Sequence, residues 1–215
     1  MTVGVKICGI RDVPTLECAI KGGARSVGFV FYPRSPRCIT AAQAGKLTAA
    51  AGTSVTRVGV FVDPDDQLLA EVLSAASFDL LQLHGSESAA RLAQIRERFQ
   101  IAVMKAIKVS EAADLEAAEE FVDTADKLMF DGKAPKSMAG AMPGGNRVTF
   151  DWHLLEGRSW TCPWMLSGGL DPDNIDDAIT ISGAKEVDVS SGVESSPGEK
   201  NLDLVRAFLA RAQAH

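Results

Sequence analysis

Eight short β-rich runs, each followed by a stretch long enough for a return crossover, constrain this chain more than any other feature. They begin at Val5 ("VKIC"), Ser26 ("SVGFVF"), Thr56 ("TRVGVFV"), Asp79 ("DLLQLH"), Ala102 ("AVMKAIKV"), Lys127 ("KLMFD"), Trp164 ("WMLSG") and Glu186 ("EVDVSS"), at intervals of 21 to 37 residues. Between them lie apolar stripes at helical spacing: Leu68, Leu69, Val72, Leu73 and Ala76; then Ala89, Leu92, Ile95 and Phe99; then Leu202, Val205, Phe208 and Leu209. Such stripes pack onto a sheet. Strands alternating with helices imply parallel pairing through right-handed crossovers. An open doubly wound sheet and a closed (β/α)8 barrel both satisfy this. Eight runs favour the barrel, with 215 residues near its lower size limit. The turn after the first run reads "CGIRDV", not G-x-G-x-x-G, so the dinucleotide fingerprint of the open sheet is absent. The expectation is one α/β domain, a (β/α)8 TIM barrel over residues 1–215.

Local signals support the helices. Thr40 and Gln43 have capping-box spacing. Asp63-Pro64 and Asp171-Pro172 each read as an N-cap followed by proline at the first helical position. The stretch Gly132 to Thr149, "GKAPKSMAGAMPGGNRVT", is too long for an ordinary connector and is expected to be an irregular, functional loop.

Bulk properties exclude several classes. A formal net charge of −6 argues against general nucleic-acid or anionic-membrane binding. No apolar run approaches a membrane span, and the N-terminus lacks the charged region of an export signal. A cytoplasmic protein is expected. The cysteines (Cys8, Cys18, Cys38, Cys162) form no C-x-x-C and the histidines are scattered, so neither a metal site nor a disulfide is expected.

In a parallel barrel, chemistry collects at the C-terminal ends of the strands. Side chains two apart share a face. Lys6 and Cys8 therefore oppose Val5 and Ile7; Gln82 and His84 oppose Leu81 and Leu83; Asp131 opposes Leu128 and Phe130; Asp188 and Ser190 oppose Val187 and Val189. Polar groups on one face and aliphatics on the other suit an interior facing a ligand. The last two strands end in "SGGL" and "SSGVE", small residues that let backbone N–H groups close on an anion. Singly, each group has an ordinary reading. Cys8 could be a small buried hydrophobe, Asp131 a turn residue, His84 a satisfied strand end, Arg34 and Arg37 solvated charges, and Lys6 and Lys105 filling for a polar inner layer.

Together, "VKICGI", "GFVFYPRSPR", "VGVFVD", "LLQLHGSES", "KAI", "FDG", "FDW", "LSGGL" and "DVSSGVE", in this order from Val5 to about Glu199, resemble the phosphoribosylanthranilate isomerase family of tryptophan biosynthesis. The resemblance implies a (β/α)8 barrel and an Amadori rearrangement of N-(5-phosphoribosyl)anthranilate without a cofactor. It implies Cys8 as general base, Asp131 as general acid, Arg37 on the anthranilate carboxylate, and phosphate on Gly168, Gly169, Ser190, Ser191 and Gly192. Gln82, His84 and Asp188 are expected to line the substrate. The small-molecule substrate is the expected partner, with no nucleic acid or membrane, for a monomer or homodimer. One departure stands out: the loop before "FDW" reads "MPGGNRVT", with Arg147 where a glycine is common in the family. A lyase forming a Schiff base through Lys105 or Lys133, and a non-catalytic phosphate-binding barrel, are the competing readings.

Overall fold

The computed structural model describes residues 2–135, 137, 138, 140 and 142–215. Its eight parallel strands are β1 (Gly4–Cys8), β2 (Ser26–Val30), β3 (Thr56–Phe61), β4 (Leu80–Leu83), β5 (Ala102–Val109), β6 (Lys127–Gly132), β7 (Trp164–Leu166) and β8 (Glu186–Val189). They pair in sequence order, and β1 closes onto β8 with Lys6 opposite Asp188. The expected (β/α)8 barrel is what forms. Around it lie α1 (Val13–Lys21), α2 (Ala41–Ala51), α3 (Asp66–Ala75), α4 (Ala89–Phe99), α5 (Ala112–Glu116), α6 (Ile175–Ser182) and α7 (Leu202–Gln213). Among the described residues no α-helix follows β6. A 3₁₀ turn, Trp152–Leu155, stands in its place, and a short antiparallel pair, β9 (Glu194–Ser196) with β10 (Glu199–Lys200), decorates the end of β8.

Two apolar layers reflect the period of two in the strands. Val5, Ile7, Val27, Phe29, Leu81, Leu83, Leu128, Phe130 and Val187 point outward and pack with helix residues such as Leu69, Leu92, Ile95, Val205 and Phe208. Cys8, Val30, Val58, Val60, Met104, Ala106, Met129 and Met165 fill the interior as a separate cluster. The interior is thus closed by side chains from below, and its open end is the C-terminal face.

The capping box at Thr40 forms as expected: Gln43 N–H donates to Thr40 Oγ1 at 3.2 Å, and Thr40 N–H to Gln43 Oε1 at 2.8 Å. The two Asp-Pro readings are corrected. The cap of α3 is Asp65, which accepts from Leu68 N at 2.8 Å, whereas Asp63 sits at φ +45° and accepts from Ser86 N. Asp171 closes a turn by accepting from the amides of Asp173 and Asn174, and α6 starts only at Ile175. In both cases the proline lies before the helix rather than at its first position, Pro172 within a turn.

Candidate active site

Inward side chains of β1, β2, β3, β4, β6 and β8 meet the loops after the strands in one cavity at the C-terminal face, enclosing about 750 Å³ of atom-free space with its mouth included. Cys8, Gln82, Asp131 and Asp188 line it from the strands, His84 and Ser167 from the first positions after β4 and β7, and Arg37, Gly168, Gly169, Ser190 and Ser191 from the loops. Ten of the eleven expected site residues therefore meet in one place. Gly192 stands apart: it packs against the Leu170 backbone, where a Cβ would overlap the Leu170 carbonyl. It joins the loops after β7 and β8 rather than lining the cavity. Arg34 is exposed and also lies outside the cavity.

Cys8 ends β1 above Lys6. Lys6 is fully buried and donates from Nζ to Asp188 Oδ1 at 2.8 Å; Asp188 Oδ2 accepts from Ser167 Oγ at 3.1 Å. Burial works against the Lys6 charge, but Asp188, and Cys8 beyond it, outweigh burial and hold its pKa above the ordinary lysine value. Burial pushes the Cys8 thiol up. Lys6 and Lys200 pull it down and Asp188 adds to the rise, so the thiol stays above its ordinary value. Gly28, opposite on β2, makes room for both, since a Cβ there would lie 2.9 Å from the Cys8 sulfur and 3.1 Å from Lys6 Nζ.

Asp131 is the penultimate residue of β6, three strands round the barrel from β1. Its Oδ2 is 3.0 Å from His84 Nε2, and His84 Nδ1 is 2.8 Å from Gln82 Nε2. With the amide donating to Nδ1, the imidazole proton sits on Nε2 and donates to Asp131. This bond fixes one carboxyl oxygen, and the other remains available to a ligand. Gln82 Oε1 is buried and unpartnered among the described residues.

Arg37 is buried despite its charge. Its Nε and Nη2 donate to Glu194 Oε1 and Oε2 at 2.7 and 2.8 Å. Gly9, at φ +82°, lets the arginine stem cross the end of β1, since a Cβ there would lie 2.7 Å from Arg37 Cδ. Across the cavity, the amides of Gly168 (φ +96°) and Gly169 (φ +63°) have no acceptor among the described residues, and both residues line the cavity. Neighbouring free amides of this kind form an anion cradle.

The irregular loop after β6 also reaches the site. Lys136, Ala139 and Ala141 lie outside the described residues. Met142 to Asn146 and Val148 line the cavity. Gly144 lies against His84 and Asp131, and Gly145 against Arg37. Arg147 adopts φ +57°, the left-handed conformation that explains why glycine suits this position. Its Nη2 donates to the carbonyls of Ser191 (2.8 Å) and Glu194 (3.2 Å), tying this loop to the one after β8.

Lys105 is corrected from the inner layer to the outer one. Met104 and Ala106 point inward, so Lys105 faces the helices, where it donates to Glu87 Oε2 and to the Gly85 carbonyl, each at 2.7 Å. Glu194 and Lys200 were not singled out in the sequence. Glu194 closes the quoted "DVSSGVE", and a buried acid at the end of a ligand-facing loop was the available signal. Lys200 had none. No cluster of metal-ligating side chains occurs among the described residues, and no described helix is long and apolar enough to cross a membrane.

A closed barrel with a thiol and a carboxyl facing one cavity, a buried arginine on one wall and an amide cradle on the other has the architecture of an enzyme site for a small molecule with two anionic groups. Comparison with known proteins specifies which. The family model described as N-(5'phosphoribosyl)anthranilate (PRA) isomerase matches residues 5–211, and the chain belongs to that family. It is 53% identical over 213 residues to the N-(5'-phosphoribosyl)anthranilate isomerase of Paramagnetospirillum magneticum, covering 99% of this chain and 98% of that one. The crystal structure of phosphoribosyl anthranilate isomerase from Thermotoga maritima superposes with a TM-score of 0.88 at 37% identity, covering 99% and 100% of the two chains. A phosphoribosyl anthranilate isomerase in complex with reduced 1-(o-carboxyphenylamino)-1-deoxyribulose 5-phosphate superposes with a TM-score of 0.83 at 34% identity, covering 99% and 100%.

Proposed function

We propose that this protein converts N-(5-phosphoribosyl)anthranilate to 1-(o-carboxyphenylamino)-1-deoxyribulose 5-phosphate in tryptophan biosynthesis, with Asp131 as general acid and Cys8 as general base. The observation that carries this is their placement on two sides of one cavity that also holds Arg37 and the Gly168-Gly169 amides. The substrate has a carboxylate at one end and a phosphate at the other, and the two anion-binding walls stand either side of the acid and the base.

The acid gives a proton to the furanose oxygen. The ring C–O bond breaks as the anilino nitrogen lone pair forms the C1′=N bond. The resulting iminium acidifies C2′–H, and the Cys8 thiolate takes that proton, leaving an enolamine that tautomerises to the ketone. Atoms are conserved, so no external oxidant or reductant enters. The thiolate is a minor form because burial opposes it. The adjacent Lys6 charge and the iminium formed in the first step both favour it. His84 donates to Asp131 and stabilises the carboxylate left after proton transfer. The anion walls orient the substrate and supply binding rather than chemistry.

The decisive experiment is the decay of phosphoribosylanthranilate fluorescence on addition of the purified protein. Decay at the rate of the uncatalysed control would sink the reading.

A further inference from the structure

Arg37 has two hydrogen-bonding edges, and one is already occupied. Glu194 takes the side-on edge, Nε and Nη2, as a bidentate pair. The Glu194 side chain is 2% exposed and also accepts from Lys200 Nζ at 2.8 Å and from Gly198 N at 3.2 Å. Burial works against its charge, but Arg37 and Lys200 outweigh burial and keep its pKa below the usual carboxylate range. Lys200 has further anchors in the Ser190 carbonyl (2.9 Å) and hydroxyl (3.4 Å), and it does not line the cavity. Arg37 does. Among the described residues its Nη1 has no hydrogen-bond acceptor, and a Cβ on Gly145 would lie 2.7 Å from it.

A guanidinium is planar, so fixing one edge fixes the other. The stem is held against Gly9 and the side-on edge against Glu194, which leaves the end-on edge, Nη1 with the second Nη2 hydrogen, turned toward the cavity. A planar aryl carboxylate fits that edge as a second bidentate pair. Two cations and one anion leave the cluster at +1, so it attracts an anion while the arginine is held in one rotamer before ligand arrives.

We infer that Glu194 is the positioning residue of the carboxylate subsite: it presents the end-on edge of Arg37 to the aryl carboxylate of the substrate. The inference rests on the function proposed above. It differs from a charge effect in sign. Removing a negative charge beside an arginine would by itself tighten anion binding, whereas loss of positioning loosens it.

Glu194→Gln in the full chain separates the two, because glutamine keeps the size and one acceptor. The expected result is a KM about tenfold higher, the equivalent of one charge-assisted hydrogen bond, with kcat within about threefold. Used as competitive probes, anthranilate should lose about tenfold in affinity and inorganic phosphate less than about twofold. In an Arg37→Ala background the substitution should add nothing further. Unchanged or tighter anthranilate binding overturns the inference, as does an equal loss for phosphate or an undiminished effect without Arg37. A wild-type protein that leaves phosphoribosylanthranilate untouched overturns the proposed function and this inference with it. An active wild type with an unaltered Glu194→Gln KM overturns the inference alone.

Discussion

Lys6 Nζ lies 2.8 Å from Asp188 Oδ1 inside the barrel, with side chains 0% and 6% exposed. The pair closes the barrel between β1 and β8, and it sets the positive charge directly under Cys8. A buried pair of this kind is weak evidence of net stability but is costly to break from one side, because the surviving charge is left without a partner. Lys6→Met should therefore destabilise the fold by about 3–5 kcal/mol, as read by urea unfolding. Lys6→Met combined with Asp188→Leu should recover much of that loss. If the double variant is no more stable than the single one, the cost does not come from the stranded carboxylate.

Cys8 gives a pH signature. Its folded pKa is raised by burial, against the pull of Lys6 and Lys200, so it lies above the ordinary thiol value of about 8.5. A thiol raised on folding stabilises the native state at pH below its unfolded value, and that contribution fades as pH rises through the folded value. Reactivity follows the thiolate and moves the opposite way. Alkylation of Cys8 by iodoacetamide should be slow at neutral pH and should still be accelerating above pH 9. A plateau near pH 7 would mean that the cations win over burial.

The acid and the base should behave as chemical groups rather than binding groups. Cys8→Ser and Asp131→Asn should each lower kcat by at least ~10²-fold, the lower end for acid–base catalysis, with the melting temperature little changed. Arg37→Ala should act mainly on KM. Near-wild-type turnover in either of the first two variants would remove the role assigned to that residue.

The residues that were legible in the sequence are those whose position follows from a strand's own alternation. Lys6 with Cys8, Gln82 with His84, and Asp188 with Ser190 read correctly because each strand has polar and aliphatic faces. β5 reads "AVMKAIKV", apolar on both faces, so alternation alone could not say which way Lys105 points. Its side is decided by Glu87, which meets it from the loop after β4. Glu194 and Lys200 were hidden for a different reason. Glu194 meets Arg37 across 157 residues of sequence, and only barrel closure brings β2 and β8 to either side of β1. Gly192 shares a motif with Ser190 and Ser191, but the sequence does not show the contact with the Leu170 backbone that excludes a side chain there.

That contact makes a prediction. Gly192→Ala has no room for its methyl group, so the loops after β7 and β8 must part. The loop after β7 carries the Gly168-Gly169 amide cradle, and Ser190 and Ser191 of the loop after β8 line the same cavity. Phosphate-end binding should suffer first, seen as a raised KM and weaker inhibition by inorganic phosphate, with kcat nearly preserved. A loss confined to kcat would place Gly192 in the chemistry instead.

The lyase alternative required a free lysine amine at the substrate, and neither candidate stands there. Lys105 faces the helices, paired with Glu87 and 5.7 Å from the centre of the Phe121 ring. Lys133 follows β6 but turns away to Asp114, at 2.6 Å. Burial raises the pKa of Asp114, but the bonds from Lys133, Ser110 and Glu111 outweigh it and leave it at about 2. A carboxyl lowered on folding stabilises the native state above its unfolded value, and that support is lost only as pH falls toward 2. The pair therefore persists through the physiological range, and forming an imine on Lys133 would break it. Lys6, the remaining lysine on the inner face of β1, is held by Asp188. Borohydride added during turnover should leave every lysine unmodified by intact-mass and peptide analysis. A reduced adduct on Lys105 or Lys133 would restore the Schiff-base mechanism, and one on Lys6 would make the charge under Cys8 a nucleophile.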